Sequence, residues 1–346
     1  MRPKLSILDP VPIRDGQTAA QSVAASLSAA RLADRLGYER WWFTEHHGMP
    51  STGATAPQVL MAATAALTER IRVGSGGVVL PRHDPVTIAE HFTTLESIAP
   101  GRIDLGLARG VGPSSYGGGK GKEDAEFTAN VRLLRELTDT GRIRRRAGLR
   151  TEDVLVSAPP TGSAPIFILG TSESSARMAG RCGFAYVYAH HFSGRGTEAA
   201  LDAYRNEFRP SPELDRPRAI ATMNASVADT AEEAYSRALP ALLRYARMFT
   251  GGGDPFAVET VEAAQRRGMS AAERQVIDAL LPTWTVDSAE ASRRRLRAFA
   301  EDLGIDEVML LFASSAREGE PMDRWSAVEH GLTLLAQVTP GGGSAP

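Results

Sequence analysis

Arg40-Trp41-Trp42-Phe43-Thr44-Glu45-His46-His47 reads as a short buried strand, Trp41-Trp42-Phe43, that delivers a glutamate and two histidines at its carboxyl end. A parallel β/α protein keeps its chemistry in the loops after its strands. Successive strand residues point to opposite faces. If the strand persists, one of His46 and His47 faces a site while the other packs or is solvated. Alone, the stretch is most simply a buried strand with satisfied histidines. The strand-loop-helix unit repeated around it is what turns the reading toward a site.

That unit recurs along the chain. Lys4 to Leu8 forms the first strand, and Thr18-Ala19-Ala20-Gln21 is a capping-box pattern opening a helix that stops near Gly37. A helix over 56–67 leads to a third strand over 70–81, whose glycines mark either a bend or a close approach of ligand to backbone. A helix over 87–98 and a fourth strand from Ile103 to Gly110 follow. Strands five to eight fall at 165–170, 184–189, 219–227 and 307–312. The pattern predicts an α/β protein, a (β/α)8 TIM barrel with a helical insertion between strands 7 and 8. A single domain spans 1–338, with 235–285 as the inserted cap region and 339–346 as a flexible tail. The glycine-rich stretch 112–121 is expected to be mobile, and the basic run 142–150 to be a solvated surface segment.

Composition narrows the function. The chain has 346 residues, 42% hydrophobic and 23% charged, with a formal net charge of -2 and a mean hydropathy of -0.20. This charge gives no electrostatic case for nucleic acid or an anionic membrane. A single cysteine, Cys182, excludes an internal disulfide and fits a reducing cytoplasm. Neither a signal-peptide core nor a membrane-length apolar run is present, so a cytoplasmic protein is expected.

Several chemistries lack their motifs. There is no G-x-S-x-G elbow, no H-E-x-x-H or His-x-His, and no G-x-G-x-x-G after a strand, so no hydrolase nucleophile, metal centre or Rossmann site is expected. What the strand ends do offer is Arg109 after strand four and the hydroxyl-rich turn Gly170 to Ser175, which opens a helix after strand five. Unpaired N–H groups, hydroxyls and an arginine make a phosphate cradle, although Ser172 or Ser174 is equally suited to plain N-capping. The two features on neighbouring strands point to a phosphorylated cofactor.

Phe43-Thr44-Glu45-His46-His47, Val73-Gly74-Ser75-Gly76-Gly77-Val78-Val79-Leu80-Pro81, Gly106-Leu107-Ala108-Arg109-Gly110 and Gly170-Thr171-Ser172-Glu173-Ser174-Ser175-Ala176-Arg177 together resemble the bacterial luciferase-like flavin monooxygenase family. The resemblance covers nearly the whole barrel. Within the family it is greatest to the branch that tailors actinomycete aromatic polyketides.

The resemblance implies a catalytic His46 near the flavin C4a–N5 edge, with Glu45 beside it. It implies a non-proline cis peptide at Gly76-Gly77 against the isoalloxazine, and Arg109, preceded by Ala108, on the FMN phosphate. Thr171, Ser172 and Ser175 fall in the phosphate turn, and His190 near the flavin ring. Ala108 replaces a reactive cysteine of the luciferase α chain, and Thr171 replaces a glutamate, which removes a negative charge from beside the phosphate. The implied activity is that of a two-component monooxygenase. A separate NAD(P)H:flavin reductase supplies reduced FMN, O2 is co-substrate, and a C4a-peroxyflavin oxygenates a small-molecule substrate, an aromatic polyketide intermediate. Relatives are commonly dimers through the helices after strands two and three, so a homodimer is expected. The rivals are an F420-dependent oxidoreductase on the same barrel and a non-catalytic binding or partner protein. His83 is placed at the edge of the site, and His91 in packing or an interface.

Overall fold

Thr18 caps the first helix as its spacing predicts: its hydroxyl accepts the Gln21 N–H at 3.2 Å, and the Gln21 side chain accepts the Thr18 N–H at 2.9 Å. Gly37 ends that helix in the left-handed conformation at φ 80°. In this computed structural model, which describes residues 2–110, 120–147, 150–157, 160, 162–251 and 258–336, the chain then largely alternates strand and helix, apart from a hairpin and a run of three helices.

The first half comprises β1 (Lys4–Asp9), α1 (Ala19–Leu36), β2 (Arg40–Phe43), α2 (Pro57–Leu67), β3 (Arg72–Ser75), β4 (Val78–Val79), α3 (Pro85–Ile98), β5 (Ile103–Ala108) and α4 (Lys120–Thr140). After a hairpin of β6 (Arg142–Ala147) and β7 (Arg150–Leu155) come β8 (Ile166–Gly170), α5 (Glu173–Cys182), β9 (Ala185–Tyr188), α6 (Thr197–Glu207) and β10 (Ala219–Ala228). The chain continues with α7 (Ala231–Thr250), α8 (Val261–Arg267), α9 (Ala271–Leu280), β11 (Thr285–Ser288), α10 (Ala289–Leu303), β12 (Glu307–Phe312) and α11 (Ser326–Ala336).

Parallel pairing runs β1-β2-β3-β5-β8-β9-β10-β12 and returns from β12 to β1, so eight strand positions close into a barrel. Alternation sorts the strand side chains. Leu8, Trp42, Phe167, Val187, Ile220 and Met309 fill the interior, while Ile7, Trp41, Phe43, Leu105, Ile166 and Leu310 pack outward under the helices. The amino-terminal end of the interior is closed by charge. Arg40 donates to Asp104 at 2.6 Å and to Glu307 at 2.8 Å, and Asp104 also accepts the Trp42 indole N–H at 3.0 Å and Arg72 at 2.6 Å. The guanidinium of Arg40 lies 5.3 Å over the Phe167 ring. With the barrel floor sealed, the carboxyl ends of the strands are the open face.

Two expectations are corrected, and the basic segment, exposed at Arg142 and Arg144 as expected, gains a regular structure. The third strand does not run through 70–81: it breaks at the cis peptide Gly76-Gly77, resumes as β4, and Leu80–Arg82 is one turn of 3₁₀ helix. The basic segment is no simple surface loop, because Arg142–Ala147 pairs antiparallel with Arg150–Leu155. Its alternation puts Ile143 inward, while Arg142 and Arg144 are exposed. The insertion between strands 7 and 8 is not wholly helical either, since β11 pairs with the second half of β10 from Ala225 to Ala228. Stretch 112–119 and the tail 339–346 lie outside the described residues, so the mobility expected of them has no counterpart here. Among the described residues, no helix is long and apolar enough to cross a membrane.

Candidate active site

β2 ends at Phe43, so the strand does not persist through the two histidines. The chain turns instead, with the His46 N–H on the Ala54 carbonyl at 2.9 Å. His46 is half-buried and its Nδ1 lies 2.9 Å from the Thr44 hydroxyl, whereas His47 is exposed. Burial, together with His47 and Arg244, holds the His46 pKa below the ordinary imidazole value, and Glu45 offsets this only in part.

Glu45 is buried and acts as a hub. Its Oε1 meets His47 Nε2 at 2.7 Å and His83 Nε2 at 2.8 Å, while Oε2 accepts the Val79 N–H at 3.0 Å. The carboxylate therefore ties the end of β2 to the chain just past Gly76-Gly77. His83 joins this cluster, as the sequence placed it, and His91 is exposed on α3.

The glycines of this edge are there for space. A Cβ on Gly74 would run into the Trp42 indole, and one on Gly76 into Leu8. A Cβ on Gly77 would sit 2.9 Å from the Gly106 carbonyl carbon and oxygen. The bending reading is met at this edge, and the barrel's own packing by itself requires glycine at these positions.

Arg109 follows β5, beside the half-buried Ala108. The Arg109 guanidinium contacts the Asp124 carboxylate from α4, and the other oxygen of Asp124 accepts the Ser174 hydroxyl at 3.1 Å. Ser174 lies in the first turn of α5. Arg109 and the hydroxyl turn thus converge on one carboxylate at a helix N-terminus. The other hydroxyls are differently engaged. Ser172 caps α5, accepting the Ser175 N–H at 3.3 Å. Ser175 is buried, with its hydroxyl 3.1 Å from that of Tyr186. Thr171 is exposed, and its carbonyl accepts the Tyr188 hydroxyl at 3.3 Å.

His190 sits after β9, with Nδ1 2.7 Å from the Thr197 hydroxyl and its ring against Phe299 of α10. Its neighbour His191 turns the other way, with Nδ1 2.6 Å from the Thr222 hydroxyl on β10. Burial pushes the His191 pKa down to about 3, with His190 and His46 contributing. Of the two, His191 is the imidazole that senses His46. Sequence reasoning singled out neither Asp124 nor Arg244, and preferred His190 to His191. The pairings that distinguish them come from elements far apart in the chain.

A phosphorylated group fits what is present. The donors are Arg109, Ser174 and the α5 N-terminus, and the Asp124 carboxyl group already rests on the first two. Among the described residues, no group of three or more His, Cys, Asp or Glu side chains is placed to hold a metal ion.

The model of the luciferase-like monooxygenase family matches residues 4–316. The luciferase-like monooxygenase of Escherichia coli strain K12 is 32% identical over 311 residues, covering 88% of this chain and 90% of its own. The crystal structure of apo-MsnO8 superposes with a TM-score of 0.79 at 32% identity, covering 97% of each chain. At lower identity the fold is shared by the oxygenating constituent of 3,6-diketocamphane monooxygenase from a Pseudomonas putida plasmid, in complex with FMN (19%, TM-score 0.73, 97% of each chain). It is also shared by an F420-dependent secondary alcohol dehydrogenase (15%, TM-score 0.68, 97% of this chain and 99% of that one). The chain belongs to the luciferase-like monooxygenase family.

Proposed function

We propose that this luciferase-like monooxygenase is the oxygenase component of a two-component system, taking reduced FMN from a separate NAD(P)H:flavin reductase in the cytoplasm. The observation that carries the reading is the convergence of Arg109 and Ser174 on one carboxylate at the N-terminus of α5. Arg109, Ser174, Thr171 and the first N–H groups of α5 would hold the FMN phosphate, with Ser172 and Ser175 keeping the turn in shape. Gly76 and Gly77, backed by Leu8 and Gly106, would form the edge nearest the ring. Bound reduced FMN supplies the capacity to activate O2 and pass one oxygen atom to an organic substrate.

His46 is the acid/base candidate. A pKa below the ordinary value leaves its imidazole neutral at pH 7 and able to accept a proton at Nε2, while Nδ1 is oriented by Thr44. Glu45 is better assigned to positioning, since its oxygens are occupied by His47, His83 and Val79. His190, engaged with Thr197 and Phe299, would support the wall, and His191 would line it. An aromatic polyketide intermediate is the substrate class that the sequence resemblance implies. Exposed Val59 and Leu67 on α2 and Ile98 on α3 support a homodimer through those helices.

Anaerobic titration with reduced FMN and, separately, reduced F420 tests the cofactor, and stopped-flow mixing with O2 tests the chemistry. Saturable binding of reduced FMN and an oxidation rate distinct from that of free flavin are expected. Binding of F420 alone would make the protein a dehydrogenase or reductase. Binding of neither would leave a partner protein on this barrel.

A further inference from the structure

A cavity opens between the carboxyl end of β1, the middle of α7 and the chain from β12 into α11, with Trp41, Pro240, Phe312 and Trp325 among its walls. Three arginines line it, and two are already engaged. Arg14 donates to the carbonyls of Glu320 at 2.6 Å and Pro321 at 2.7 Å, and Arg324 pairs with Glu329. The third, Arg244 of α7, has no carboxylate within ion-pair distance among the described residues. Its guanidinium lies 5.9 Å over the Tyr245 ring. Its neighbours along the helix are not left this way: Arg237 pairs with Glu233 at 2.7 Å, and Arg247 with Glu259 at 2.7 Å.

The acids that line the cavity are also engaged elsewhere. Asp9 accepts the Val11 N–H at 2.7 Å and the Trp41 indole at 3.1 Å, and Glu320 is held by Arg237 at 2.5 Å through Oε1, its Oε2 having no hydrogen-bond partner among the described residues. The cavity opens at the carboxyl ends of β1 and β12, and β1 is paired with β2, whose carboxyl end leads into His46, so the cavity and the acid/base candidate lie at the same end of the barrel. A half-buried guanidinium without a counter-ion among the described residues, in a largely apolar recess, is matched by a planar anion that takes two parallel N–H bonds.

We propose that Arg244 anchors a carboxylate on the substrate, so that the compound oxygenated is an aromatic acid bound as its anion. The proposal deepens the monooxygenase reading and rests on it for the identity of the ligand as substrate. The inserted segment then selects by charge as well as by shape, and Arg244 sets which end of the substrate faces away from the reacting centre.

Isothermal titration of the whole, cofactor-free protein with 2-naphthoate and with its neutral amide, 2-naphthamide, tests this without turnover. The parental protein is expected to bind the acid at least ~10-fold more tightly than the amide, which is the order of one charge-assisted pair. Arg244→Met should bring the two affinities within about twofold, and Arg244→Lys should retain part of the preference. Equal parental affinities, no binding of 2-naphthoate, or a preference that survives in Arg244→Met would each overturn the assignment. The two readings fail separately. Loss of flavin oxidation chemistry with the acid preference intact removes the oxygenase and leaves an anion site. The converse removes Arg244 and leaves the oxygenase.

Discussion

The Asp124 carboxylate rests on the Arg109 guanidinium and holds the Ser174 hydroxyl with its other oxygen, so an acid of α4 occupies the place proposed for the phosphate. A phosphate entering there has to displace it. Arg109→Met is therefore expected to weaken reduced FMN binding by about 10- to 100-fold, the loss of a charge-assisted hydrogen-bonded contact. Asp124→Asn should tighten it by a few-fold, roughly 1 kcal/mol of competition removed. Anaerobic titration reads both, and an Arg109→Met variant with parental affinity would move the phosphate elsewhere.

His46→Asn should lower the rate of substrate oxygenation by about 10²- to 10⁴-fold, the usual contribution of a positioned acid/base. Its affinity for reduced FMN should stay within about threefold of parental. In the proposed role the neutral imidazole is the active form, and burial holds its pKa below the ordinary 6.5. The parental rate should then be flat in this group above pH 6.5 and fall only at more acid pH. An acid limb centred above 6.5 would assign the proton to another residue.

At the barrel floor, Asp104 balances Arg40 and accepts the Trp42 indole, all three being buried. Asp104→Ala leaves Arg40 with Glu307 and the more distant Glu39 at 3.5 Å, strips Arg72 of its carboxylate, and should cost about 3 kcal/mol or more in urea unfolding at pH 7. Asp104→Asn, which keeps an acceptor for Trp42, should cost less. A loss under about 1 kcal/mol in the alanine variant would mean that the floor relaxes around the gap.

His191 makes stability acid-sensitive. Its pKa is about 3 in the folded protein against 6.5 as the ordinary value, so the folded state binds fewer protons between those limits. The stabilisation is full above pH 6.5 and declines as pH falls toward 3, by up to about 1.4 kcal/mol per pH unit. Replacing His191 with Gln should flatten the unfolding midpoint across that window. An unchanged slope would assign the acid sensitivity to other groups.

Much of the barrel can be read from local pattern. The capping box at Thr18, the left-handed stop at Gly37 and the apolar strands around Trp42 and Ile166 are decided by residues within a few positions of one another. The features that escaped are those that depend on partners elsewhere. The hairpin over 142–155 hides because the run Arg142-Ile143-Arg144-Arg145-Arg146 carries a single apolar residue, too little to show the period-two signal that exposed Arg142 and Arg144 and buried Ile143 follow. β11 is only Thr285–Ser288 and becomes a strand by pairing with β10. In the site, Arg109 and the hydroxyl turn stand out as types that bind anions. By contrast, Asp124, His191 and Arg244 acquire meaning only from what α4, β10 and α7 bring beside them. The close packing of Gly77 on Gly106 joins strands separated by a whole helix.

β10 serves three neighbours at once: Ala219 to Ala221 ladder with β9, Ile220 to Ala225 with β12, and Ala225 to Ala228 with β11. The inserted segment is thereby stitched into the barrel wall by main-chain hydrogen bonds at its far end. Exchanging it between relatives to change substrate range would require a graft that carries Thr285–Ser288 along with the helices. A graft that replaced Thr285–Ser288 with an unpaired loop would strand the donors and acceptors from Ala225 to Ala228 and make that stretch of β10 the sheet edge in place of β11.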